Sequence, residues 1–133
     1  MRHVYSAAQI EQYFSHIHFP SHLVPTPGTG SPSPGLDLLT RLQQYQLATA
    51  PWENFSKFYN PIPTPVASLL GGDELFDKFV GHGASGRLDG RGGRGGECFE
   101  NNTFFGNILR SLGYEVYSGA ARVCKGRVRW TGW

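Results

Sequence analysis

The chain has 133 residues, of which 39% are apolar and 14% aromatic, enough for one domain with a modest core and too many for a disordered chain. A net charge of +2 is too small to indicate a nucleic-acid partner, and no apolar run reaches the roughly 18 residues of a membrane span. The segment from Met1 to Phe14 lacks the apolar centre of a signal peptide, and two cysteines cannot build a disulfide framework. We therefore expect a cytoplasmic protein with no membrane partner.

Two helices are predicted before Pro51. Ser6 and Gln9, three residues apart, form a capping box that indicates the start of the first helix. The second is predicted to have Ser33 as its N-cap and Pro34 at its first position, and Pro51 should end it. Apolar residues at helical spacing would give both helices a buried face: Ile10, Tyr13 and Phe14 in the first, and Leu38, Leu39, Leu42 and Tyr45 in the second.

A third helix is predicted to begin with Asp73 as its N-cap and to run through Val80. A loop rich in glycine and arginine, residues 81–96, then leads to Cys98, where a fourth helix should begin. Gly113 lies where a left-handed C-cap is expected. The apolar stripe of the fourth helix comprises Phe104, Phe105, Ile108, Leu109 and Leu112.

Beyond the fourth helix the pattern changes to strands, which are predicted at residues 114–117, 119–124 and 127–130. Helices followed by strands predict an α+β fold whose sheet has barely begun when the chain stops. Trp130 and Trp133 are large apolar groups with nothing after them to bury them. We therefore expect the chain to end inside a domain.

Cys98 is predicted to leave a glycine loop at the start of a helix. Free backbone N–H groups and the helix dipole stabilise a negative charge on sulfur at such a position, and this makes a thiol reactive. Gly95 and Gly96, just before it, allow backbone or ligand to approach closely where a Cβ would obstruct them. Cys98 is therefore predicted to be a nucleophile.

The residues from Arg94 to Asn102, RGGECFENN, resemble the active-site signature of the arylamine N-acetyltransferases: arginine, two glycines, any residue, cysteine, any residue, glutamate, any residue, asparagine. Two further segments resemble the family, the Pro-aromatic-Glu-Asn sequence at 51–54 and the Leu-Phe-Asp-Lys sequence at 75–78. Residues 119–123 resemble its first barrel strand. The resemblance spans nearly the whole chain, apart from a longer loop between Val80 and Arg94.

For the fold, the resemblance implies an N-terminal helical bundle followed by the first strands of an incomplete β-barrel domain, built on a papain-like thiol-enzyme core. The helical domain that carries the cysteine motif would comprise residues 1–113. Residues 114–133 would begin the barrel domain.

For function, the resemblance implies that Cys98 takes an acetyl group from acetyl-coenzyme A as a thioester, which an arylamine or arylhydrazine nitrogen then attacks. Phe99 would line the acceptor pocket, and Thr131 and Gly132 would contact the coenzyme. Arg94 and Glu100 would pair to hold the loop, and Asn102 would tie the helix start to neighbouring backbone. No metal is implied.

The family also uses a histidine to deprotonate the thiol and an aspartate to orient that histidine. In the family the histidine follows the segment that resembles Trp130 to Trp133 within a few residues, so we expect both residues to lie beyond the end of this chain. General-base assistance is worth about 100- to 10,000-fold in rate, which predicts impaired activity for a truncated family member.

Two other functions stay open. A transglutaminase-like thiol hydrolase would share a cysteine at a helix start with a later histidine and aspartate, but would use water or lysine as its acceptor. A catalytically dead fragment that acts by binding is the other. His16, His18 and His22 could converge on a metal, but no cysteine or carboxylate completes a usual zinc set, and we expect no metal site.

Overall fold

The computed structural model describes residues 4–25, 35–54, 58, 71–81 and 93–120. These ranges contain helices α1 (Ala7–His16), α2 (Leu36–Thr49), α3 (Gly72–Phe79) and α4 (Cys98–Ser111), with a short 3-10 helix at Ser21–Leu23. Among the described residues no helix is long and apolar enough to cross a bilayer.

Helices α1 and α4 begin where the sequence predicts. The capping box of α1 is confirmed, since the Gln9 backbone N–H donates to Ser6 Oγ at 3.3 Å and the Ser6 N–H donates to Gln9 Oε1 at 2.9 Å. Cys98 is the first residue of α4. At the other end of α4, Gly113 has a φ of +92°, and its N–H and that of Tyr114 donate to carbonyls of the last turn, which confirms the predicted left-handed cap.

Helices α2 and α3 begin away from their predicted caps. Gly35 is the N-cap of α2, so this helix does not begin at Pro34; Ser33 and Pro34 themselves lie outside the described residues. Gly71 is the N-cap of α3, which places Asp73 inside the first turn, where its carboxylate accepts a hydrogen bond from Gln9 Nε2 at 3.2 Å. An acidic residue in a first turn also interacts favourably with the helix dipole. Helix α2 does end just before Pro51, as predicted.

The predicted α+β class, with the first strands of a barrel after residue 113, is wrong for the part of the chain that the structure describes. Residues 114–120 have no regular structure, and α4 takes up two of their backbone groups: the Tyr114 N–H donates to the Leu109 carbonyl, and Arg110 donates to the Val116 carbonyl. A β-strand needs a neighbouring strand to bond its backbone N–H and C=O groups. Alternating side chains in the sequence predict a strand but do not show whether such a neighbour is present. Strand residues predicted beyond 120 lie outside the described ranges, so the domain boundary at 113 stays a prediction.

Aromatic rings from three segments meet on Phe104 in α4. Phe79 stacks on it with ring centroids 4.6 Å apart, and Tyr13 meets it edge-on at 5.9 Å. Tyr5 and Phe76 complete the cluster at 6.0 and 6.3 Å. Twelve buried apolar residues form the core: Tyr5, Tyr13, Phe14, Ile17, Phe19, Leu42, Ala50, Leu75, Phe76, Phe79, Phe104 and Ile108. Since α4 supplies two of them, this core fixes the helix that begins at Cys98.

Candidate functional site

Cys98 lies exposed at the first position of α4. The residue before it, Glu97, has extended backbone (φ −70°, ψ 170°), and its carbonyl accepts the first hydrogen bond of the helix from the Asn101 N–H at 2.9 Å. The N–H groups of a first helical turn have no partners within the helix. The predicted placement of the thiol at a helix start is therefore confirmed.

Gly95 and Gly96 hold the loop before Cys98 against the segment that follows α2. The Gly96 N–H donates to the Pro51 carbonyl and the Glu53 N–H donates to the Gly96 carbonyl, both at 3.2 Å, in an isolated parallel bridge. A Cβ on Gly95 would lie 1.6 Å from the Pro51 oxygen, and one on Gly96 would lie 2.6 Å from Glu100 Oε2. Both glycines are needed because the protein's own atoms occupy the space of a side chain.

Glu100 links the helix start to α3. One carboxylate oxygen, Oε2, accepts the Glu97 N–H at 2.8 Å, and the other, Oε1, lies 2.7 Å from Lys78 Nζ. The predicted pair between Arg94 and Glu100 is wrong, because Arg94 Nε lies instead 3.9 Å from Glu53 Oε1. Glu53 thus lies near both cations, since its Oε1 is also 3.8 Å from Lys78 Nζ, whereas Glu100 pairs with Lys78.

Sequence reasoning missed two residues of this site, Lys78 and Asn101. Asn101 is buried and its Nδ2 donates to the Gly96 carbonyl at 2.6 Å, which ties the loop to α4. In the sequence, Lys78 stands out only as the last residue of the Leu-Phe-Asp-Lys segment that resembles the family. A lysine at the end of an otherwise apolar helix face rarely indicates a residue of a functional site, since most such lysines are solvated.

Asn102 does what the sequence predicts of it, because its Nδ2 donates to the Cys98 carbonyl at 2.8 Å. Phe99 is 75% exposed and Trp52 is 58% exposed, and each adjoins the motif, one in sequence and the other through the bridge to Gly96. The acceptor role of Phe99 stays a prediction. Thr131 and Gly132 lie outside the described residues.

Within the described ranges, no histidine forms a hydrogen bond with the Cys98 thiol. His16 lies near the loop, with Cε1 3.8 Å from the position of a Cβ on Gly93. Partial burial, and secondly the charge of His18, lower the pKa of His16. Within the same ranges no group of three or more histidine, cysteine or acidic side chains could hold a metal.

The arrangement presents the Cys98 thiol to solvent at the start of α4, where the backbone N–H groups of the first turn lie beside it. Such donors stabilise both a thiolate and the oxyanion that forms when a thiolate attacks a carbonyl carbon. The fixed loop, the capped helix start and the exposed aromatic rings therefore suit covalent transfer of an acyl group.

Comparison with known proteins gives a consistent picture. A family model described as N-acetyltransferase matches residues 35–131. The chain is 35% identical over 130 residues to the N-malonyltransferase FDB2 of Fusarium pseudograminearum, and 32% identical over 117 residues to the arylamine N-acetyltransferase of Mycobacterium tuberculosis. These alignments cover 93% and 88% of the chain and 33% of each relative, so the chain spans about a third of the length of these proteins. No solved structure gives a significant match.

Proposed function

Because this chain belongs to the arylamine N-acetyltransferase family, we propose that it carries the nucleophile of an acyl transfer from acyl-coenzyme A to an arylamine or arylhydrazine. The observation that carries the proposal is the exposed Cys98 at the first position of α4, inside the complete signature from Arg94 to Asn102. Membership of the family supports acyl transfer. We propose in addition that the acceptor is aromatic and that the acyl group is carried on Cys98.

In the proposed reaction the Cys98 thiolate attacks the carbonyl carbon of the donor thioester. The coenzyme leaves as a thiolate and takes a proton, and the acyl group stays on sulfur. The nitrogen of the acceptor then attacks the same carbon, loses a proton and leaves as the amide, which returns the thiol. Each tetrahedral stage places negative charge on oxygen, where first-turn N–H groups can donate to it.

No hydrogen bond joins a base to the Cys98 thiol among the described residues. We propose that a histidine oriented by an aspartate supplies this base, in a segment that corresponds to the part of the relatives outside the alignment. Thr131 and Gly132 are proposed contacts to the coenzyme. Relatives named for malonyl transfer and for acetyl transfer both match, so the acyl group itself is for experiment to decide.

The proposal is tested by incubating the purified chain with acetyl-coenzyme A or malonyl-coenzyme A and measuring intact mass. We expect the mass of one acyl group on the protein, located on Cys98 by peptide mapping, with one donor favoured. Cys98→Ala should abolish labelling, whereas Cys124→Ala, the matched change at the other cysteine, should keep it. Added imidazole, a diffusible base, should raise the labelling rate.

The acceptor step is tested next with aniline, phenylhydrazine and lysine offered to the acylated protein. Transfer to the aromatic nitrogen with loss of the protein label supports the proposal. Release by water or transfer to lysine would support a thiol hydrolase or a transglutaminase-like enzyme instead. Absence of labelling with both donors, with imidazole present, would mean that this chain does not form the thioester.

A further inference from the structure

We propose that Lys78 is a positioning residue for Cys98: it holds Glu100, and Glu100 caps the helix start from which the nucleophile projects. Cys98 as the nucleophile is the proposed function, on which this inference rests. Lys78 lies 20 positions before Cys98 in the sequence, near the end of α3, so only the tertiary structure connects the two.

The contact between Lys78 and Glu100 is short and well shielded. Lys78 Nζ lies 2.7 Å from Glu100 Oε1, and the two side chains are only 15% and 10% exposed. A charge-assisted hydrogen bond of this length is among the strong polar contacts in proteins. Shielding from water makes it count for more than a surface ion pair, whose contribution to stability is close to zero.

The second carboxylate oxygen of Glu100 bonds the backbone directly before Cys98. Oε2 accepts the Glu97 N–H at 2.8 Å, and Glu97 is the N-cap residue directly before Cys98. The carboxylate is thus fixed at both oxygens, by a cation on α3 and by the backbone of the cap. Rotation of the carboxylate away from either partner breaks the other contact as well.

Lys78 also holds the loop through its backbone. Its carbonyl accepts the Arg94 N–H at 3.1 Å, two residues before the Gly96 bridge, and its Nζ lies 3.8 Å from Glu53 Oε1. One residue therefore joins α3 to the segment after α2, to the glycine loop and to the start of α4.

Removing the cation leaves Glu100 as a shielded carboxylate without its main partner. Such a group turns towards water, because an uncompensated buried charge is costly. This movement weakens the cap on the Glu97 N–H, and the first turn of α4 loses its fixed geometry. The expected consequence is a less reactive Cys98 in a protein that still folds.

The test measures the rate at which iodoacetamide alkylates Cys98, quantified on the Cys98 peptide so that Cys124 does not contribute. We expect Lys78→Met to lower this rate about fivefold at neutral pH, the size of a helix-end effect on one charge. Lys78→Arg, which keeps the cation, should restore it to within about twofold. Arg41→Met, a matched loss of one exposed cation on α2, should leave it unchanged.

A double-mutant cycle shows whether Lys78 acts through Glu100. Glu100→Ala should give the same loss as Lys78→Met, and the double variant should be no slower than either, because both changes break the connection from Lys78 through Glu100 to the Glu97 N–H. Thermal unfolding is recorded for every variant. A lower melting temperature with an unchanged alkylation rate, or additive losses in the double variant, would overturn the proposal.

If Lys78→Met does not fold, Glu100→Ala is used in its place, and an unchanged alkylation rate in that variant contradicts the inference. Iodoacetamide needs neither coenzyme nor acceptor. A fivefold loss with no labelling by acyl-coenzyme A would therefore mean that the proposed function fails while the positioning of Cys98 by Lys78 stands.

Discussion

Gly95 and Gly96 show at the scale of single residues why the motif needs glycine at two consecutive positions. A Cβ on Gly95 would collide with the backbone oxygen of Pro51, an atom that cannot turn aside. A Cβ on Gly96 would meet the Glu100 side chain, which could move only by leaving the Glu97 N–H and Lys78. The first glycine therefore protects a backbone bridge and the second protects a helix cap.

Gly95→Ala should destabilise the protein because the loop must move away from Pro51. Forcing extra atoms into a close-packed site costs about 1–3 kcal/mol, and we expect that fall in the free energy of unfolding measured by urea titration. Gly119→Ala is the matched control, since nothing lies within 4 Å of a Cβ there. It should change stability by less than about 0.5 kcal/mol, or raise it. Equal losses in the two variants would refute the steric explanation.

At the scale of elements, local signals predicted the helices better than their first residues. The capping box of Ser6 and Gln9 and the left-handed cap at Gly113 are complete within a few residues of sequence, and both are confirmed. Asp73 is a good N-cap by type, but α3 begins two residues earlier and uses it for a contact with Gln9. The start of α3 therefore does not follow from the N-cap preference of Asp73 alone.

In the candidate site, too, features set by nearby residues could be predicted from the sequence and features set by packing could not. Cys98 at a helix start follows from the residues around it, and the structure confirms it. The partner of Glu100 could not be predicted, because choosing Lys78 over Arg94 requires knowing how α3 packs against the loop. The strand predicted at 114–117 failed for a related reason, since a strand exists only with a partner.

Tyr5, two residues before α1, contacts both α3 and α4. Its backbone N–H donates to Ser111 Oγ at 2.8 Å, and its hydroxyl donates to the Gly72 carbonyl at 2.9 Å. Burial is the main cause that raises the pKa of Tyr5 to about 12, with the charge of Asp73 as a smaller one. Burial raises the pKa of Tyr13 as well.

The protein should therefore lose stability in alkali. Folding raises the pKa of the Tyr5 hydroxyl above its ordinary value of 10.0, so the protonated, neutral hydroxyl stabilises the folded state. This contribution is complete below pH 10 and is lost as pH rises towards 12. Urea midpoints measured from pH 8 to 12 should fall across that window, and Tyr5→Phe should make the fall shallower. Tyr117→Phe, at an exposed ring, should keep the wild-type profile; a flat profile for the wild type would contradict the argument.

At the scale of the whole molecule, α4 connects the core to the candidate site. Its first residue is the exposed Cys98, and two turns later Phe104 is 1% exposed among the rings of Tyr5, Tyr13, Phe76 and Phe79. Lys78 lies beside Phe79 in sequence, so the helix that stacks on Phe104 also carries the cation of Glu100. Packing of α3 on α4 therefore sets both the core and the geometry of the helix start.

Phe104→Ala should disturb the core and the geometry of the start of α4 at once. Loss of a buried phenylalanine costs about 3–5 kcal/mol, and here it also withdraws the ring on which Phe79 stacks, so α3 loses its fixed position against α4. We expect the urea midpoint to fall and Cys98 to react with iodoacetamide at a rate near that of an unfolded peptide, before helix content by circular dichroism is lost. Leu47→Ala, at an exposed position on α2, should change neither. If Phe104→Ala lowered stability while Cys98 kept its native rate below the unfolding transition, the loop and the cap would be holding Cys98 in place without the core. The contact between Lys78 and Glu100 argues against that outcome, because it joins the first turn of α4 to α3, the helix that packs on Phe104.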